Sequence, residues 1–205
     1  MNGTDAKTQD NILLAGKREF LDKGYMGSSL RRIVKDAGVT TGAFYGYYKN
    51  KEALFDALVR EPKEAFLACF NGAQEDFAGL PTDKQMTQMA EFSGQYIFDL
   101  LDQVYDHPDA FKLLLCSAEG TKHENFVNTL VEIEVAATDR FVDVLRAAGH
   151  SLNVIDAQLE HMLVSGMFSA FFETIIHDMP KAQAVRYVGE LREFYTAGWQ
   201  KIMGL

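Results

Sequence analysis

Residues 29–54 read SLRRIVKDAGVTTGAFYGYYKNKEAL, and this stretch decides the fold. Leu30, Ile33, Val34 and Ala37 recur at helical intervals and share one face, with Ser29 before them as an N-cap candidate. Gly38 supplies the positive φ that a sharp turn needs, and Val39 plugs the corner behind it. Thr40 or Thr41 caps a second helix, in which Phe44 and Tyr48 lie four apart and point inward together. Thr41, Ala43, Tyr45 and Tyr47 are left facing outward, and Gly42 and Ala43 keep that face slim enough for a major groove. Asn50 is positioned to cap the next helix, with Lys51 in its first turn. Helix, glycine turn, helix is the layout of a helix-turn-helix that presents its second helix to DNA.

The stretch resembles the DNA-binding signature of the TetR family of bacterial transcriptional regulators. That family carries an AGV turn followed by a short helix ending in Tyr-x-x-Phe/Tyr-Lys-x-Lys. Here the pattern reads Ala37, Gly38, Val39, then Tyr45, Gly46, Tyr47, Tyr48, Lys49, Asn50 and Lys51. The upstream helix fits as well: Ile12, Leu13, Ala15, Phe20 and Leu21 make an apolar face that Gly24 and Tyr25 close. Two positions depart from the pattern, Val34 where a small alanine is usual and Tyr48 where phenylalanine is commoner. The resemblance covers about the first 55 residues; beyond them the chain is similar to the family only in length and helical character. The expected DNA contacts are Ser29, Thr40, Thr41, Gly42, Ala43, Tyr45, Tyr47, Lys49 and Lys51, with Thr41 and Ala43 on base edges and Tyr45, Tyr47 and Lys51 on phosphates.

The charge is divided unevenly along the chain. The total is −9, yet residues 1–60 hold 10 Lys+Arg against 7 Asp+Glu, a balance of +3, and residues 61–205 hold 10 against 22, a balance of −12. A basic head on an acidic body is the asymmetry of a protein whose head alone touches phosphate. Residues 1–10 are polar, without the apolar core of an export signal, and no apolar run approaches the 18 or so residues of a spanning helix, so a cytoplasmic location is expected. Cys69 and Cys116 fall inside helical patterns and are expected to be small buried hydrophobes.

The rest of the chain reads as helices, with no alternating strand pattern, repeat or low-complexity tract, so the fold class is all-α. Two domains are expected: an N-terminal three-helix helix-turn-helix domain over 1–60, and a larger helical ligand-binding and dimerisation domain over 61–205. Pro81, Pro108 and Pro180 sit at the starts of helices near 82–106, 108–118 and 180–203. Phe126, Leu130, Ile133, Ala137, Phe141 and Leu145 mark another, and a further helix is expected over about 153–177. Pro62 falls inside the helix that begins near Lys51, which should therefore kink or restart there, either as a plain helix start or as a hinge.

The family resemblance implies a homodimer built on the last two helices. Independently, Gly166, Ala170, Gly189 and Gly198 allow close backbone approach, and Phe168, Phe172, Tyr195 and Trp199 add apolar area to cover. It also implies a small-molecule effector held by the middle helices. Met and aromatic residues there suit a large apolar or aromatic molecule, although such stripes are more often plain core. Phe92, Tyr96, Glu119, His123, Phe126 and Met162 are the candidate ligand contacts, and a buried acid among them would favour a cationic ligand.

Other site classes have less support. Glu119 and His123 stand four apart near further acids and histidines, but no His-x3-His or paired-cysteine motif is present. His177-Asp178 resembles the dipeptide of helical metal-dependent phosphohydrolases, which also require a downstream aspartate, and none follows position 178. There is no glycine-rich phosphate loop, and no cofactor is called for. The expectation is a regulator, not an enzyme. It would be a repressor released from a palindromic operator by a small molecule; the alternatives are a metal-responsive sensor, an activator or a ligand-free DNA-binding regulator.

Overall fold

The computed structural model describes the backbone of residues 3–205 and the side chains of residues 5–86 and 95–205. Among these the regular structure is entirely helical: α1 (Gly3–Gly27), α2 (Leu30–Asp36), α3 (Thr41–Tyr47), α4 (Lys51–Ala78), α5 (Thr82–Asp106), α6 (Pro108–Cys116), α7 (Phe126–Ala147), α8 (Ala157–Ile176) and α9 (Lys181–Met203). The all-α architecture, with a helix-turn-helix at the N-terminal end and a larger helical part after it, is as the sequence patterns imply.

The chain forms two compact units. The first takes the residues up to Glu64 together with His107–Asn125, and the second takes Ala65–Asp106 and Phe126–Leu205. The units thus do not follow a single cut near position 60, because α6 and the loop after it belong with the N-terminal helices. The reason is local packing. Ala110, Phe111, Leu113 and Leu114 on α6 are buried, Lys17 of α1 pairs with Asp109 at 2.6 Å, and the Tyr25 amide donates to the Ser117 carbonyl at 2.9 Å.

The first unit is organised around Ile12, Phe20, Ile33, Phe44, Leu54 and Phe55, all fully buried. Phe20, Tyr25 and Phe55 meet in a ring cluster, with Phe20 and Phe55 edge-to-face at 5.2 Å between centroids. Gly16 of α1 lies so close to α4 that a Cβ there would stand 2.6 Å from Leu54 Cδ2. Gly24 takes φ 67° and ends the regular part of α1 where the sequence placed its stop.

In the second unit Phe66, Phe126 and Phe172 form a triangle of rings about 5.8–5.9 Å apart, on α4, α7 and α8. The packed pairs include α7 with α8, α5 with α9 and α8 with α9. A smaller cluster gathers Phe141, Leu145 and Met203.

Four expectations need correction. Helix α4 does not restart at Pro62; it runs as one helix from Lys51 to Ala78 with the proline inside. Val59 and Phe66, fully buried on either side, hold the backbone against the loss of one amide donor. Helix α8 begins at Ala157, not 153, because the Asp156 carboxylate accepts from the Gln158 and Leu159 amides and caps it there. Cys116 is exposed and Cys69 half-buried, so neither is a buried hydrophobe. Finally, α8 is long and apolar enough by composition to cross a membrane, with 39% of it buried in the fold. It packs between α7 and α9, as a core helix does.

Candidate DNA interface and ligand cavity

The turn between α2 and α3 closes by two backbone bonds. The Val39 amide donates to the Val34 carbonyl and the Gly38 amide to the Lys35 carbonyl, both at 3.1 Å. This is a Schellman stop, with Gly38 in the left-handed region at φ 68°. Thr40 then caps α3: its hydroxyl oxygen accepts from the Ala43 amide at 3.1 Å. Phe44 and Tyr48 are buried and anchor the short helix from beneath.

What α3 leaves outside is small or hydroxylated. Thr40, Thr41, Gly42 and Ala43 are exposed, Tyr45 is 54% exposed and Tyr47 is half-buried. Lys49 is exposed just beyond the helix. Tyr47 also donates its hydroxyl to the Asp5 carbonyl at 3.3 Å. Asn50 caps α4 by accepting from the Ala53 amide at 2.8 Å.

Two of the expected contacts have other partners. The Ser29 amide, at the start of α2, donates to Glu19 Oε1 at 2.8 Å, and Arg32 pairs with the same oxygen. The Ser29 amide is therefore already taken by a carboxylate. The Lys51 ammonium donates to the Tyr25 carbonyl at 2.6 Å and the Ser28 carbonyl at 3.2 Å, and lies 4.2 Å from the centre of the Tyr25 ring. Burial holds its pKa below the ordinary lysine value, with Glu19 pulling the other way.

Within the second unit lies a cavity of about 220 Å³. Phe66, Phe70, Ala73, Gln74 and Phe77 of α4 line one side of it, and Tyr96, Phe141, Phe168 and Phe171 add further aromatic surface. Glu134 of α7 reaches this cavity and also a neighbouring one of about 160 Å³ that runs toward Tyr195 and Trp199. The Gln74 amide donates to Glu134 Oε2 at 2.6 Å. Burial pushes the Glu134 carboxyl up to about 6; the Gln74 bond opposes the rise, and nearby Glu160 adds to it.

The candidate ligand contacts scatter. Tyr96 lines the cavity, its hydroxyl on Asp76 at 2.6 Å. Phe126 is buried in the ring triangle beside Phe66, and Met162 is 68% exposed on α8. Glu119 and His123 belong to the first unit, Glu119 exposed and His123 buried against Asp56. Phe92 lies outside the residues whose side chains are described. The sequence reading overlooked Glu134 and Gln74. A signal was present: Glu134 falls four after Leu130 and seven before Phe141, an acid on the apolar stripe of its helix.

His123 has a defined structural task. Its Nε2 lies 3.0 Å from Asp56 Oδ1 and its Nδ1 3.4 Å from the Lys63 ammonium. A neutral ring satisfies both, donating from Nε2 to the carboxylate and accepting at Nδ1 from the lysine. Among the described residues no group of three or more His, Cys, Asp or Glu is placed to hold a metal ion. His177-Asp178 is a helix stop: Asp178, at φ 53°, and Met179 donate their amides back to Ile175 and Thr174, and His177 pairs with Glu173 at 2.6 Å.

A capped short helix after a glycine turn, its outer face small and hydroxylated, defines a helix-turn-helix DNA-binding domain. Residues 12–58 match the family profile described as bacterial regulatory proteins, tetR family. In this region the chain is thus similar to the DNA-binding part of the TetR family. It is 32% identical over 102 residues to the HTH-type transcriptional regulator RutR of Escherichia coli (strain K12), a match covering 50% of this chain and 43% of that one. It is 37% identical over 65 residues to the HTH-type transcriptional repressor BepR of Brucella suis biovar 1 (strain 1330), covering 30% and 31%. The chain thus spans less than half the length of the curated relatives it matches. The fold is also that of the transcriptional regulator FadR from Bacillus subtilis, solved in complex with stearoyl-CoA. The TM-score is 0.54 at 19% identity, over 92% of this chain and 97% of that one.

Proposed function

We propose that this protein is a cytoplasmic, homodimeric repressor that leaves a palindromic operator when a small molecule enters the cavity of its second unit. The observation that carries the reading is the composition of α4. This one helix starts four positions after the reading helix ends, and five of its later side chains line the cavity. A ligand packed against Phe66, Phe70 and Phe77 acts on the same helix that supplies Leu54 and Phe55 to the core of the first unit. A coupling of about 1–3 kcal/mol would weaken operator binding about 5–150-fold.

On the DNA side, Thr41 and Ala43 read base edges, with Thr40 and Gly42 close to the groove floor, and Tyr45, Tyr47 and Lys49 bind phosphates. Ser29 and Lys51 support this face from behind, since the amide of one and the ammonium of the other are held within the protein. A single seven-residue reader binds weakly, and a two-fold pair of heads supplies the rest of the affinity. The apolar outer surface of α8 and α9, with Met162 at 68% and Phe194 at 71% exposure, supports pairing through these helices. A repressor's role agrees with the similarity to the transcriptional repressor BepR.

The test has two stages. Selection from a random duplex pool should enrich an inverted repeat, and compounds found by thermal shift should then release the labelled repeat in fluorescence anisotropy. Enrichment of no sequence would refute DNA reading. Tight binders that leave operator affinity unchanged would leave a ligand-free regulator.

A further inference from the structure

We infer that the cavity takes a hydrophobic cation, an ammonium on an aromatic or branched apolar body, and that the Glu134 carboxylate holds its charge. The inference rests on reading this cavity as the effector site. Among the described residues lining it, Glu134 is the only carboxylate, and no Lys, Arg or His is present. The walls are largely aromatic, with Phe70, Phe77, Phe141, Phe168, Phe171 and Tyr96 among the lining residues. Each ring face carries negative electrostatic potential and attracts a cation brought within about 6 Å.

The acid is under-compensated as it stands. A carboxylate offers about four acceptor positions, and the Gln74 amide takes one of them on Oε2. A second acid adds to the field: Glu160 is 6% exposed, its Oε1 has no hydrogen-bond partner, and its charge acts on Glu134. Burying carboxylates without a cation is costly, and the raised Glu134 pKa shows that cost. An ammonium in the cavity would relieve it. An anionic ligand would bring its charge against Glu134 with no cation among the described residues lining this cavity, Arg192 lining the adjoining one. A neutral ligand would bury the carboxylate further and return nothing.

The test uses three probes of one size class on the full-length protein: benzyltrimethylammonium, its uncharged carbon isostere neopentylbenzene, and the anion 4-phenylbutyrate. Trp199, the single tryptophan, lines the adjoining cavity and reports binding by fluorescence, with calorimetry as a second readout. The cation should bind about tenfold or more tightly than the isostere, and the anion weakest. Glu134→Gln should bring cation and isostere to within about threefold of each other. The wild-type comparison decides the matter even if that variant folds poorly. If the isostere or the anion binds best, the cavity reading stands and the cation is overturned. If none of the three binds, both the cation and the cavity reading fall.

Discussion

The ammonium of Lys51 lies 2.6 Å from the carbonyl oxygen of Tyr25 and 4.2 Å from the centre of that residue's ring. One side chain at the start of α4 thus clamps the end of α1, where Gly24 has already broken the helix, by joining the Ser28 amide and hydroxyl on the Tyr25 carbonyl. Lys51→Ala should therefore act first on folding, destabilising the protein by about 1–3 kcal/mol in urea denaturation. Lys49→Ala, at an exposed position, should instead leave stability unchanged and reduce the magnitude of the salt slope of operator binding by about 1. The reverse pattern would put Lys51 on phosphate and Lys49 outside the interface.

The reading helix depends on its cap. Thr40→Ala removes the acceptor of the Ala43 amide and should cost about 1 kcal/mol, since α3 has only seven residues over which to recover it. Ala43→Arg, on the exposed face, should change which operators are preferred in a selection experiment while leaving the melting temperature nearly fixed. An unchanged preference profile with a uniform loss of affinity would mean that another surface reads the bases.

The DNA head was legible from sequence because its signals are local. Gly38 and Val39 form the turn, Thr40 and Asn50 cap, and Phe44 and Tyr48 turn inward, all within bonds that span five residues or fewer. The long-range pieces were not. Nothing near His123 in the chain points to Asp56, 67 positions away, so the ring was read as a ligand contact when it is a structural bridge. The same holds for Lys51, whose carbonyl partners lie 26 and 23 positions upstream. The cavity was anticipated on the middle helices, but Met and aromatic residues do not announce which side of a helix borders empty space. Phe126 fell into the core and Met162 onto the surface.

The His123 bridge predicts a direction for stability with pH. Burial lowers the His123 pKa below its ordinary value, with the Asp56 bond pulling the other way, so the unfolded chain binds the proton first as pH falls. Stability from this group is present above about pH 6.5 and is lost as pH drops below it toward the folded pKa. Protonation also removes the Nδ1 acceptor that faces Lys63. Urea midpoints measured between pH 7.5 and 5.5 should fall more steeply for the wild type than for His123→Gln. Parallel curves would show that the ring is not the titrating group.

Pairing through α8 and α9 can be tested at a side chain with little to do inside the subunit. Gly166 is a poor choice, because a Cβ there would stand 3.2 Å from the Tyr195 hydroxyl and disturb the chain's own packing. Phe194, 71% exposed, is better. Phe194→Asp should leave the far-ultraviolet circular dichroism intact and shift light scattering from dimer to monomer, because a carboxylate would be buried at the interface without a partner. Operator affinity should fall with it. A dimeric variant with normal affinity would move the interface off this face.

The stop after α8 offers a stabilising change. Asp178 sits at φ 53°, the left-handed conformation that side chains disfavour, because the Schellman bonds from Asp178 to Ile175 and from Met179 to Thr174 demand it. The Tyr105 hydroxyl fixes the same corner from α5, donating to the Met179 carbonyl at 2.8 Å and the Thr174 carbonyl at 3.3 Å. With the backbone held in place by these bonds, Asp178→Gly relieves the strain without letting the corner move. It should raise stability by about 0.5–1 kcal/mol, less whatever the looser unfolded chain takes back. Asp178→Ala, which keeps a Cβ and loses the short polar side chain that tolerates this region, should lower it. Thermal denaturation of the two variants beside the wild type checks the order. If alanine proves as stable as glycine, the left-handed turn at Asp178 carries no strain.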